Sequence, residues 1–169
     1  MRRFFLETLT VCALATLLAL ALHFFVTQVY AISGQSMEPT LHDGDRVVIH
    51  KLSPGLLPVE VGDLVIFTSP NDGNKNLVKR VIAVGGDRVR FDREQVWVND
   101  KPIRESYILR GLYSEGRDEI LVEDGDIFVL GDNRPQSQDS RHFNPIPLES
   151  VKGKVFLRLW PLDMISTFP

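Results

Sequence analysis

From Thr8 to Met37 the chain carries no Asp, Glu, Lys or Arg. Within that span Leu9 to Tyr30 is apolar on all sides, interrupted only by Thr10, Thr16, His23, Thr27 and Gln28. A bilayer is crossed by about 20 mostly apolar residues in a helix. The pattern therefore predicts a short tail at 1–8 and one transmembrane helix at 9–30. A helix lying on the surface of a soluble domain would show a polar stripe, which this run lacks. Beyond residue 40 the texture changes to short β-rich runs at 45–52, 63–69, 77–84, 87–91, 95–99, 126–131 and 152–160, separated by turn residues. Four of the runs follow a Gly-Asp pair: Gly44-Asp45, Gly62-Asp63, Gly86-Asp87 and Gly125-Asp126. Glycine accepts the dihedrals of a tight turn and aspartate bonds nearby backbone amides. The spacing predicts a mainly β domain over 31–169, with antiparallel or mixed sheets forming a partly barrel-like body. Segments 70–76 and 111–119 read as hairpin tips or loops.

Charge orients the apolar segment. Arg2 and Arg3 precede it, and Glu38, Asp43 and Asp45 follow it. By the positive-inside rule the N-terminus is cytoplasmic and the β domain lies on the other side. A cleaved leader is the competing reading, with Val29-Tyr30-Ala31 resembling a small-x-small cleavage site. Its apolar core would span only about 7–15 residues, shorter than the run here. The net charge of −3 offers no basic footprint for nucleic acid. The sole cysteine, Cys12, excludes an intrachain disulfide.

Candidate chemistry gathers in three places. In "LVKRVIAV" (77–84), strand alternation puts Leu77, Lys79, Val81 and Ala83 on one face, and Val78, Arg80, Ile82 and Val84 on the other. Both faces are apolar and each carries one base. Arginine keeps its charge and needs an acidic or carbonyl partner. Lysine can release its proton when buried, which makes Lys79 a candidate general base. Taken alone, such residues more commonly lay their stems on apolar surface and keep their charge in water. In "SGQSMEPTL" (33–41), Pro39 stiffens the turn after Ser36 and restricts Glu38. Ser33 and Ser140 are further candidate nucleophiles, and spacing alone does not choose among them. The third place is "GDNRPQSQDSR" (131–141), dense in polar groups. There Asp139 and Arg141 can pair, Asp132 can neutralise Arg80, and Ser137 can hold the lysine amine in line. A Ser-His-Asp arrangement drawing on His42, His50 or His142, the last near Asp139 in sequence, is the rival enzyme, and a non-cleaving peptide-binding domain the rival non-enzyme. No His, Cys or Glu cluster has metal-ligand spacing.

Together "SGQSMEPTL", "GDRVVIHKL", "LVKRVIAVGGDRV" and "LGDNRPQSQDSR" resemble, in order, the successive sequence boxes of bacterial type I signal peptidases. The resemblance covers roughly residues 10–160 and is carried by the four boxes jointly. It implies a membrane-bound serine endopeptidase with a Ser-Lys dyad, needing neither cofactor nor metal. Such an enzyme cleaves signal peptides from exported preproteins after small-x-small, Ala-x-Ala-like motifs. Its partners are the signal peptides emerging from the export machinery and membrane lipid. It sits as a single-pass protein in the plasma or thylakoid membrane with its catalytic domain outside. By the same resemblance Ser36 matches the nucleophile, Lys79 the general base and Ser137 the serine that orients the lysine. Asp139 and Arg141 match a structural ion pair, and Asp132 the acidic partner of Arg80. The Ser36 amide is the expected oxyanion donor.

These roles set physical conditions. A solvated lysine titrates near 10.4, so Lys79 must be shifted down by desolvation, expected from Leu77, Val81 and Ala83. A carboxylate in direct contact would favour the charged form, so neither Asp132 nor Asp139 is expected to salt-bridge Lys79. Two departures from the family stand out. Gly34 occupies the position where some members carry a serine that assists the oxyanion. In "RHFNPIP" (141–147) an aromatic followed by glycine is expected and is absent. Expected walls for the substrate's small side chains are Ile32, Met37, Leu41, Val78 and residues of 81–84. The C-terminal "LWPLDMISTFP" (159–169) either dips into the lipid interface through Trp160 or packs on the core as a terminal strand.

Overall fold

The computed structural model describes residues 2–51, 58–92, 95–108 and 119–168, with the side chains of residues 2 and 20–25 set aside. It opens with helix α1, Arg2–Val26, which leads directly into strand β1, Thr27–Ala31. The helix thus starts earlier than Leu9 and ends before Tyr30. Val29 and Tyr30 favour extended backbone, and here they pair with Val48 and Val47 of the neighbouring strand. Among the described residues no helix is long and apolar enough to cross a membrane. Large apolar side chains of α1, including Phe4, Leu9, Leu14 and Leu18, are nevertheless exposed.

The chain continues through β2 (Arg46–His50), β3 (Leu64–Thr68), β4 (Asn76–Val84), β5 (Arg88–Asp92), β6 (Gln95–Val98), β7 (Lys101–Pro102), β8 (Ile120–Leu121) and β9 (Asp126–Leu130). A one-turn helix α2 (Ser140–Phe143) precedes β10 (Ile146–Pro147), β11 (Val151–Trp160) and β12 (Ser166–Thr167). Each of the seven predicted strands forms. The turn grammar holds as well: Gly44, Gly62, Gly86 and Gly125 all adopt positive φ, from +85° to +100°. In three of the turns the aspartate carboxylate accepts the amide three residues back, from His42, Glu60 and Val84. Segment 70–76 is the β3–β4 hairpin tip; 111–118 lies outside the described residues.

Every strand pair among the described residues is antiparallel. The large sheet runs β1-β2-β11-β3-β4-β9-β10, with β12 added to β11, and curls into a half-barrel. A four-stranded sheet, β7-β6-β5-β8, stands beside it. One apolar cluster (Ile32, Met37, Leu41, Ile66 and neighbours) fills the half-barrel near β1, and a second gathers around Phe67, Val81 and Val129. A third, with Ile82, Ala83, Val89 and Phe128, joins the two sheets.

The alternation read from 77–84 fails at its far end. The β4–β9 register shifts between Val81 and Ala83. Ala83 consequently packs with Ile82 in the third cluster, and Val84 joins Val81 in the second. A bulge inserts one residue and breaks the period of two. Ala83 therefore does not share a packing cluster with Val81, as an unbroken strand would require.

Candidate active site

Ser36 stands on the turn that follows β1. The residues around it explain why that turn is fixed. Met37 and Leu41 are fully buried in the first cluster, and the Leu41 amide donates to the Met37 carbonyl at 2.9 Å. On the other side Gly34, at φ +89°, donates its amide to Asp43 Oδ1 at 2.7 Å. That backbone geometry suits glycine at the position where some members of the resembled family carry a serine, because L side chains strain in this region. Loop 131–139 supports the turn from behind. The Asn133 amide donates to the Ser36 carbonyl at 3.1 Å, and the Asn133 side-chain nitrogen donates to the Gln35 carbonyl at 3.1 Å.

Lys79 reaches Ser36 from the middle of β4. Its Nζ donates to Ser36 Oγ at 2.7 Å and to the Val78 carbonyl at 2.9 Å. The residue is 2% exposed. Desolvation by this burial is the main cause that lowers its pKa from 10.5 to about 8. The charges of Asp139 and Asp132 oppose the shift, and those of Lys75 and Arg141 assist it. Neither carboxylate forms an ion pair with Lys79. Asp132 binds Arg80 through two contacts, 2.9 Å to Nε and 2.6 Å to Nη2. Asp139 binds Arg141 in the same two-pronged manner, at 2.8 and 2.9 Å. Each acid thus carries its own counter-charge, and dehydration decides the state of the amine.

The other predicted residues fall into place unevenly. Asp139 also caps α2 and accepts the Gly131 amide at 3.0 Å. Ser137 Oγ is buried and finds no hydrogen-bond partner among the described residues, so it does not bond the Lys79 amine here. It does lie close to the backbone of Ser36. A Cβ placed on Gly131 would overlap Ser137 Oγ and stand 2.5 Å from the Ser36 carbonyl oxygen. His142 is mostly exposed and serves the α2 capping box, its Nδ1 3.8 Å from Asp139. Ser140 Oγ accepts the Val129 amide at 3.0 Å, so it is tied into the frame. Asn144 takes φ +69° where the family pattern suggested glycine, which answers the departure in 141–147.

A cleft of about 450 Å³ opens over the Ser36–Lys79 contact. Its apolar walls include Ile32, Ile66, Leu77, Val78 and Phe143, with Tyr30 alongside and Ser69 and Lys75 among its polar lining. Ile32 and Val78 were expected there. Met37 and Leu41 do not line it: they point into the core and hold the turn from within. Residues 81–84 are likewise absent from the walls, since β9 covers that half of β4. Ile66 was missed because it sits on a strand that the sequence gives no reason to place beside Ser36.

Several participants lie within the quoted segments, yet nothing local in the sequence marks their roles. Gly131 matters through a close approach to residues distant in sequence. Thr40 donates to Asp132 and receives Arg80 Nη2 at 3.4 Å. Arg134 is buried and paired with Glu105. The C-terminal segment packs on the core as a terminal strand, one of the two alternatives for it, and also leaves apolar side chains exposed. Phe168 packs on the first cluster and β12 pairs with β11, while Leu159, Trp160, Leu162 and Ile165 are exposed.

The family model described as signal peptidase, peptidase S26, matches residues 5–160. A probable signal peptidase I-2 of Synechocystis sp. is 37% identical over 90% of this chain and 72% of its own length. A signal peptidase I of Bacillus caldolyticus is 36% identical over 92% of this chain and 89% of its own. A crystal structure of a signal peptidase I from Enterococcus faecalis V583 superposes with a TM-score of 0.50 at 28% identity. It covers 57% of this chain and 95% of that one.

Proposed function

The chain belongs to the signal peptidase family of S26 peptidases, and from the Ser36–Lys79 contact within that family we propose a membrane-anchored serine endopeptidase that removes signal peptides from exported preproteins. The observation that carries this reading is the 2.7 Å hydrogen bond between the two side chains, with the lysine buried and depressed to about 8. A serine hydroxyl is a weak nucleophile until a base takes its proton. A base works best when its pKa lies near the working pH. Once neutral, Lys79 Nζ accepts the Ser36 proton along the existing hydrogen bond. Ser36 Oγ then bonds the scissile carbonyl carbon, and the Ser36 amide donates to the developing oxyanion. The ammonium returns its proton to the leaving amine of the mature chain. Water, deprotonated in turn by Lys79, releases the acyl group from Ser36.

Substrate binding follows from strand edges beside the dyad. Among the described residues β1 pairs in the sheet with β2, and Asn76–Lys79 pair with β3 and not with β9. An extended signal-peptide C-terminus adds to these edges through backbone hydrogen bonds. Ile32, Ile66 and Val78 leave shallow apolar room that suits small side chains, hence cleavage after small-x-small. In this reading α1 is the anchor, with Arg2 and Arg3 on the cytoplasmic side of a plasma or thylakoid membrane and the β domain outside. Exposed Leu159, Trp160, Leu162 and Ile165 meet the lipid surface beside the site.

The test is cleavage of a preprotein with an Ala-x-Ala site by the full chain in detergent. Ser36→Ala and Lys79→Ala are both expected to be folded and inactive. Wild-type activity is expected to rise with pH through about 8 as Lys79 loses its proton. Retained cleavage by Lys79→Ala, or a flat profile between roughly pH 5 and 9, overturns the proposal.

A further inference from the structure

Gly131, Ser36 and Ser137 meet behind the nucleophile, so whatever fixes Gly131 also fixes the seat of Ser36. The Gly131 amide is held by Asp139 at 3.0 Å. Its carbonyl is held by Arg134 Nε at 3.0 Å. Arg134 is wholly buried, and its guanidinium donates to both carboxylate oxygens of Glu105. Glu105 does not belong to the catalytic sheet. It lies on segment 103–108, which follows β7, and Ile103 of that segment packs in the cluster that joins the two sheets. Tyr107 on the same segment donates its hydroxyl to Glu105 Oε1 at 2.9 Å. The Tyr107 ring lies 3.9 Å from the guanidinium carbon of Arg80, the residue next to Lys79. Arg80 in turn grips Asp132, the residue next to Gly131. One short segment from the second sheet thus touches the arginine beside the base and the arginine that holds the loop behind the nucleophile.

We propose that Glu105 and Tyr107 are positioning residues for the Ser36–Lys79 reaction, joining the four-stranded sheet to the loop that seats the nucleophile. This rests on the dyad reading given above. Glu105 acts through Arg134 on Gly131, and Tyr107 acts through Glu105 and through Arg80. Neither residue lines the cleft. Loss of either loosens the alignment of Oγ with Nζ and leaves the apolar walls in place. Misalignment slows the bond-forming step far more than it weakens binding of the peptide.

The experiment measures kcat and KM on the Ala-x-Ala preprotein for the full chain in detergent, normalised to the folded fraction. Glu105→Ala and Tyr107→Leu are expected to lower kcat about tenfold or more with KM within about twofold. Glu105→Gln keeps an acceptor for Arg134, and Tyr107→Phe keeps the ring against Arg80. Each is expected to recover most of the rate lost by its more drastic counterpart. Should Glu105→Ala fail to fold, the contrast between Tyr107→Phe and Tyr107→Leu gives the same readout. An unchanged kcat per folded molecule, a parallel rise in KM, or no recovery in the conservative variants overturns the proposal. Ser36→Ala and Lys79→Ala are assayed alongside. Cleavage by those two would sink the dyad reading itself, whereas their inactivity with full-rate Glu105→Ala would sink this inference alone.

Discussion

Lys79 is held in a place where its charge is unwelcome. Burial lowers its pKa from 10.5 to about 8, and each pH unit corresponds to about 1.4 kcal/mol between the two protonation states. Keeping it protonated in the fold at neutral pH therefore costs on the order of 3 kcal/mol. The unfolded chain holds the proton up to pH 10.5 and the folded chain releases it near 8. Between those values the unfolded state binds more protons, so stability rises with pH. Below 8 the penalty is complete, and above 10.5 it is gone. Methionine matches the lysine stem in length and carries no charge. Lys79→Met is expected to abolish cleavage and to stabilise the fold by roughly 1–3 kcal/mol at pH 7. That advantage should shrink steadily from pH 8 to 10.5 when followed by denaturant unfolding in detergent. Equal stabilities at pH 7 would mean that the amine is not dehydrated in the way the site requires. In the proposed mechanism, stability given up at Lys79 is what readies its amine to act as a base.

Between residue and molecule, the decisive element is the junction of β9 with loop 131–139. Gly131 occupies the point where that loop passes the Ser36 turn, and a methyl group there has no place to go. The obstructing atoms are a buried hydroxyl and a backbone carbonyl, neither at the end of a flexible chain. Gly131→Ala is expected to lower kcat by about 100-fold, the scale on which a displacement of about 1 Å acts. Overpacking is expected to cost about 1–3 kcal/mol of stability besides. Circular dichroism and saturating-substrate rates on one preparation check both, and a rate within threefold of wild type would refute it. The strands themselves were legible in the sequence, because period-two runs and Gly-Asp turns are local signals. Ser36 and Lys79 were legible because their residue types, within recognisable boxes, suit a nucleophile and a base. Ile66, Gly131, Glu105 and Tyr107 were not, since each acts through a neighbour brought close only by sheet order. Met37 and Leu41 were misread as pocket walls because proximity in sequence to Ser36 does not say which way a side chain points. The bulge at Val81–Ala83 was invisible for a related reason: only pairing with β9 reveals the extra residue.

At the scale of the whole molecule the arrangement of β1 matters most. Its start adjoins the end of α1, where the Lys51 amide donates to the Val26 carbonyl. Its end, Ala31, lies beside Arg46, and Arg46 is paired on the other side with Trp160. β1 is therefore flanked by an apolar helix at one end and by exposed Leu159, Trp160, Leu162 and Ile165 near the other. Four residue steps of about 3.3 Å separate those ends, roughly 13 Å, and Ser36 follows five residues later. If both apolar features meet lipid, β1 runs along the membrane surface and the cleft opens at the depth where a signal peptide leaves the bilayer. Trp160 reports on this directly, because an indole is at home in the headgroup region. The other tryptophan, Trp97, pairs in the four-stranded sheet and stacks with Arg90 at 4.8 Å. A Trp97→Phe background thus isolates the signal. Reconstituted into vesicles with brominated acyl chains, Trp160 emission is expected to be blue-shifted and quenched. Replacing Leu162 and Ile165 with serine is expected to reverse much of both effects while leaving the fold intact. Emission that stays red and unquenched would mean that the segment stands in water, and that α1 alone would have to bring the site to the membrane.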